Sequence, residues 1–195
     1  MSKPLHALVL LLRFALSVLR SGVHTASLIL RLRSRPEPAL VREVLASFAG
    51  LAHRIAKVTV VDGVVFYDDS KGTNVGASVA AIRGLAENRV VLVAGGRDKL
   101  GSYDPLVEAL RDRGRGAVLI GEAADRLAEA IGTTVPLRRA GSMAEAVEAS
   151  FELAEPGDAV LLSPACSSFD MFRDYHHRGQ AFVEAVESLA ARRAG

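Results

Sequence analysis

The stretch Asp69-Ser70-Lys71-Gly72-Thr73-Asn74 gathers a fixed cation and two hydroxyls just where an apolar-periodic segment begins. A helix starting there would add unpaired backbone N–H groups, and the combination favours an anion such as a carboxylate or phosphate. The plainer reading makes Thr73 or Asn74 a helix N-cap and nothing more. A second candidate is Gly95-Gly96-Arg97-Asp98-Lys99, where paired glycines let amides approach a ligand and Arg97 and Lys99 bring charge. A Gly-Gly pair leaving a strand is, however, more often only a turn. A third is Ser163-Pro164-Ala165-Cys166-Ser167-Ser168-Phe169-Asp170, whose amides and serines are suited to a second carboxylate or, equally, to a capped helix start.

Other residues carry less. Cys166 has no histidine at a spacing that would activate it, so an inert buried thiol is expected, and one cysteine forms neither an internal disulfide nor a thiolate metal site. The adjacent His176 and His177 cannot share one helical face, which argues against a metal site there. Gly121-Glu122 receives no role. No Walker sequence, GxGxxG or GxSxG occurs in the sequence.

These segments fall between alternating strands and helices. Lys57 to Val61 and Val64 to Tyr67 flank Asp62-Gly63, a strong hairpin signal. Downstream the patterning predicts helices at 74–86, 103–112, 122–131, 142–154 and about 178–192. Strands are predicted at 89–94, 117–120, 135–138 and 158–163. Val90-Val91-Leu92-Val93 and Ala159-Val160-Leu161-Leu162 are apolar on both faces, as when helices cover both sides of a mostly parallel sheet. The expected fold class is therefore α/β, a Rossmann-like mostly parallel sheet with helices on both faces, plus an N-terminal amphipathic helix. In such sheets ligands bind beyond the carboxyl ends of strands, here the loops after residues 67, 94, 120 and 162.

The 195 residues carry a formal net charge of only +2, are 50% hydrophobic and are 24% charged, which excludes a disordered chain. The first acidic residue, Glu37, is preceded by Arg13, Arg20, Arg31, Arg33 and Arg35, so the basic character is N-terminal. His6, Arg13, Arg20, His24 and Arg31 fall on one narrow stripe of an otherwise apolar helix over residues 5–32. The arginines argue against a membrane span. An interfacial helix on anionic lipid, a helix packed on a partner and a segment cut from a membrane protein all fit the stripe. No small-residue cleavage site follows, which argues against secretion, and nothing downstream has a nucleic-acid-binding signature. Pro36 and Pro38 end this helix and set a boundary, giving an extension at 1–41 and a domain at 42–195. A cytoplasmic location is expected, with membrane association through residues 5–32 as an addition.

Taken in order, His53-Arg54, DSKGTN at 69–74, GGRDK at 95–99, LLSPACSSFDMF at 161–172 and Arg178-Gly179 resemble the C-terminal domain of the Mur ligases. Within that family the match is best to the branch that adds D-glutamate to UDP-N-acetylmuramoyl-L-alanine, and it runs from about Phe48 to Leu189. The resemblance implies an ATP-dependent, C–N bond-forming acid–amino-acid ligase of peptidoglycan precursor synthesis. In such a ligase ATP converts a carboxylate to an acyl phosphate and the amine of D-glutamate attacks it, with Mg2+ and the triphosphate held mainly in another domain. By motif position it implies D-glutamate contacts at Lys71, Thr73, Lys99, Ser168, Phe169 and Tyr175, and nucleotide contacts at Arg54 and Asp69. No catalytic residue and no metal ligand is assigned. Ala52 and Gly72 depart from the family's usual Pro and Ala. With no UDP-binding or P-loop sequence, the chain is expected to hold no ATP or Mg2+ by itself and to show no ligase turnover alone. Residues 5–41 separately resemble part of the small E-type subunits of sodium/proton antiporters, which would make the chain a fusion or a frame error. The alternatives are another Mur ligase or a folylpolyglutamate synthase, and a non-catalytic binding module tethered to membrane.

Overall fold

The computed structural model describes residues 52–195. Six strands form one sheet in the order β1-β2-β6-β3-β4-β5. The strands are β1 (Ala56–Val61), β2 (Val64–Asp68), β3 (Val90–Gly95), β4 (Gly114–Ile120), β5 (Leu137–Arg139) and β6 (Ala159–Leu162). The helices are α1 (Val75–Gly84), α2 (Asp104–Arg113), α3 (Ala124–Ile131), α4 (Met143–Leu153) and α5 (Tyr175–Ala194). The predicted helices over residues 5–32 and the stretch 40–49 lie outside the described residues.

The β1–β2 hairpin is antiparallel, and Asp62 and Gly63 both take positive φ (47° and 83°), as a two-residue turn between Val61 and Val64 demands. Every other pairing is parallel. Because side chains alternate across a strand, Leu92, Ala94, Leu119 and Leu161 enter one core with Ile82, Leu106, Leu110 and Leu127. Val91, Val93, Val118, Val160 and Leu162 enter the other with Val147, Phe182 and Val186. The first core is covered by α1, α2 and α3 and the second by α4 and α5, the two-sided coverage that fully apolar strands require.

Two boundaries differ from expectation by three residues. β4 starts at Gly114, three residues early, since Gly114 and Gly116 let the strand run where a Cβ would meet the Leu110 carbonyl oxygen (2.5 Å) and a Leu153 methyl (3.1 Å). α5 starts at Tyr175 because Asp174 caps it, accepting the His177 amide at 2.8 Å.

Strand β6, last in sequence, lies between β2 and β3 and pairs with both. That insertion sets the loops after β2, β6 and β3 side by side at the carboxyl edge of the sheet.

Candidate functional site

Main-chain bonds stitch these loops together. Asp69 N donates to the Leu162 carbonyl (2.8 Å), Ala165 N to Gly72 (2.9 Å), Gly95 N to Pro164 (2.9 Å) and Arg97 N to Ser167 (2.8 Å). The Gly96 and Ala123 amides tie the loop after β3 to Ile120 and to the start of α3. Gly96, at φ 129°, sits so close that a Cβ would lie 2.2 Å from the Ser167 carbonyl oxygen, so glycine is a requirement of this junction.

Beneath the loops runs a buried polar layer. Arg178, 0% exposed, donates through Nε to Ser70 Oγ (3.0 Å), through Nη2 to Ser70 O (2.9 Å) and through Nη1 to Cys166 O (3.2 Å). Burial lowers its pKa to about 10. Ser70 Oγ donates in turn to the Tyr175 carbonyl (2.8 Å). Ser163 Oγ donates to Asp69 Oδ2 at 2.7 Å, and Ser78 Oγ donates to the Ser163 carbonyl at 2.9 Å. Asp69 is 7% exposed, and burial raises its carboxyl to about 6 against the opposing pull of the Ser163 hydrogen bond. Asp68 takes the Ser70 amide on Oδ1 (2.9 Å) and the His53 Nδ1–H on Oδ2 (2.5 Å). The His53 ring meets Tyr175 and His176 edge-on.

The candidate residues lie on this platform in two groups. Lys71 Nζ stands 3.7 Å from the centroid of the Tyr175 ring, a cation–π contact between the loop after β2 and the start of α5. Lys99 Nζ donates to the Thr73 carbonyl at 2.6 Å, joining the second loop to the first. Ser168 is buried and its carbonyl accepts the Phe172 amide (2.8 Å), so the serine turns the fourth loop and does not cap a helix. Phe169 is 63% exposed and reaches solvent. Arg54 is exposed, with its charge near Asp69. A cavity of about 300 Å³ opens beside Lys99, bounded by Asn74, Ser102, Tyr103 and Ala165. Asn74 is the N-cap of α1, accepting the Ala77 amide at 2.9 Å.

A family model described as "Mur ligase, glutamate ligase domain" matches residues 53–166, more than half of the chain. The chain belongs to that family. Ser168, Phe169 and Tyr175 lie just past the matched span. The Mur ligase relatives include UDP-N-acetylmuramoylalanine–D-glutamate ligases. The one from Nitrosospira multiformis is 55% identical over 82% of this chain and 33% of its own length. The one from Thiobacillus denitrificans is 51% identical over 82% of this chain and 34% of its own. The chain thus spans about a third of the length of these relatives. Among solved structures, the bifunctional folylpolyglutamate synthase/dihydrofolate synthase of Yersinia pestis superposes with TM-score 0.55 at 19% identity, over 86% of this chain and 38% of that one. UDP-N-acetylmuramate-alanine ligase from Thermotoga maritima superposes with TM-score 0.52 at 16% identity, over 87% and 39%. At those identities the two structures speak to the fold alone, and it is the Mur ligase C-terminal fold expected from the motifs.

In this Mur ligase domain, the motifs include Arg178 and Asp69 but do not reveal that these residues set the loops. Arg178 was the most discoverable, because it lies four residues before Phe182 and eight before Val186 on the buried stripe of α5. Gly121-Glu122, given no role, proves structural: Glu122 N donates to Asp170 Oδ2 (2.9 Å), and a Cβ on Gly121 would collide with that oxygen at 2.1 Å. Cys166 is buried, its thiol pushed up by desolvation, as expected of an inert sulfur. His177 Nδ1 accepts the Arg173 amide (3.3 Å), and no group of three or more His, Cys, Asp or Glu able to hold a metal occurs among the described residues.

Proposed function

We propose that this domain binds D-glutamate for an ATP-dependent ligase that joins it to UDP-N-acetylmuramoyl-L-alanine, with residues 42–195 as the binding unit and 1–41 as a separate extension. The carrying observation is the arrival of two ammonium groups, Lys71 and Lys99, on loops that share one edge of the sheet. D-glutamate presents two carboxylates, and charge-assisted bonds from two lysines with hydroxyl support from Thr73 and Ser168 suit it. Tyr175 and Phe169 wall the approach, and Lys71 leaves the Tyr175 ring face to meet the ligand. Positioning the attacking amine is the domain's contribution to the rate.

ATP supplies the phosphoryl group that activates the partner carboxylate in such a ligase. The described residues fit a peripheral nucleotide contact, through the exposed Arg54 guanidinium beside Asp69, and offer no glycine-rich amide cradle for a triphosphate. Mg2+ is assigned no residue. No helix among the described residues is long and apolar enough to cross a membrane. A lipid contact through residues 5–32, in a cytoplasmic protein, is tested by liposome flotation of the full chain with and without anionic lipid.

Amide-resolved NMR titration tests the central reading. D-glutamate is expected to shift resonances of residues 69–75, 97–103 and 166–175, and L-alanine and L-lysine are expected to leave them in place. Lys71→Ala should reduce D-glutamate affinity by about 100-fold, as loss of a charge-assisted bond implies. Equal responses to all three amino acids, or unaltered affinity in Lys71→Ala, would sink it.

A further inference from the structure

We propose that Asp98 is a positioning residue that presets Lys99 against Thr73, an inference that rests on the amino-acid-binding reading above. The loop from Arg97 to Tyr103 leaves the sheet into solvent, and its Leu100 is 81% exposed at φ 57°, a left-handed conformation that a leucine does not adopt without support. The support is the Asp98 carboxylate, whose side chain is only 9% exposed. Oδ1 accepts the Leu100 amide (2.9 Å) and the Tyr103 hydroxyl (2.9 Å), and Oδ2 accepts Arg126 Nη1 from α3.

Each partner is itself held. Tyr103 is buried in the core under α2, with its hydroxyl also 3.4 Å from Cys166 Sγ. Arg126 lies over the Tyr103 ring and donates through Nη2 to Gly101 O (3.1 Å). One carboxylate therefore ties the turn on both sides of Lys99 to two helices, and Lys99 Nζ reaches Thr73 O at the rim of the cavity bounded by Ser102 and Tyr103. Fixing the backbone at Lys99 limits where its ammonium can reach, so a ligand has less of the loop's freedom to suppress.

The test follows Lys99 directly. The full chain is labelled with an amine-reactive reagent and Lys99 modification is read by mass spectrometry relative to exposed Lys57, in parallel with D-glutamate titration. Asp98→Ala is expected to raise Lys99 labelling by about threefold or more and to weaken D-glutamate by about tenfold, the scale of a loosened contact. Asp98→Asn retains Oδ1 for Leu100 and Tyr103 but turns an amide donor toward Arg126, and should bring both readouts about halfway back to wild type, a rescue that general destabilisation would not give. If Asp98→Ala does not fold, Tyr103→Phe, which deletes only the phenol donor, is expected to move labelling the same way by about twofold. Unchanged Lys99 labelling in the variants, or an Asn variant no better than Ala, overturns the positioning role. Raised labelling without any D-glutamate binding by the wild type upholds the role of Asp98 and overturns the ligand assignment.

Discussion

The two lysines of the site are carried by loops built on opposite principles. Lys71 rides on a loop bolted from below: Ser70, Asp69, Ser163, Ser78 and Arg178 are buried and bonded to one another or to main chain. Lys99 rides on a loop that stands in solvent and is held mainly through the carboxylate of Asp98, with Arg126 also reaching Gly101 O. A buried polar layer has few alternative arrangements, because any group that loses its partner is left without water. An exposed loop has water as an alternative and can rearrange at low cost. The first loop should therefore fail through global unfolding, and the second through loss of ligand alone.

Arg178→Ala should give the largest break in that contrast. It strips donors from Ser70 and Cys166 and opens a cavity, and is expected to destabilise the domain by about 3–5 kcal/mol in urea unfolding. A change below about 1 kcal/mol would mean that the layer does not bolt the loop.

Asp69→Asn sharpens the comparison through pH. The Asp69 carboxyl titrates near 6 in the folded protein, above its ordinary 3.8, chiefly through burial. The native state therefore holds its proton more tightly than the unfolded chain, and stability falls as pH climbs from about 4 to about 6. Asparagine keeps the acceptor for Ser163 and should remove about 1–3 kcal/mol of that slope, read as the unfolding free energy of both proteins across this range. Identical slopes would show that the buried layer tolerates the charge.

The smallest effect belongs to the hung loop. Leu100→Gly relieves the left-handed backbone while adding unfolded-state freedom, so the melting free energy should stay within about 1 kcal/mol of wild type. A loss greater than about 2 kcal/mol would place this loop with the bolted one.

Much of this domain was legible from its residues, and unevenly. Apolar runs on both faces gave the parallel sheet, and Asp62-Gly63 gave the hairpin. The start of β4 was hidden because glycine is disfavoured in strands, whereas here Gly114 and Gly116 admit the neighbouring helices. The loops were legible because their residue types cluster locally. The Asp98–Arg126 contact was not, since the partners stand 28 residues apart and meet only through packing of α3. Ser163 and Ser78 are 85 residues apart and meet for the same reason.

The placement of β6 bears on how the chain acquires its shape. β2 and β3 are separated in the finished sheet by a strand that comes from residues 159–162. On a growing chain, β1–β2 and β3–β4–β5 can pair as two half-sheets, each with an inner edge of unbonded amides and carbonyls facing the other. Only when residues 159–162 slot in, Ala159 opposite both Val65 and Val90, do the halves fuse. Closing such distant segments is slow, and the open edges are sticky while they wait. Lys71 follows β2 and Lys99 follows β3, so the loop edge that carries both is complete only once β6 joins the halves, and the same event covers the edges most prone to aggregate.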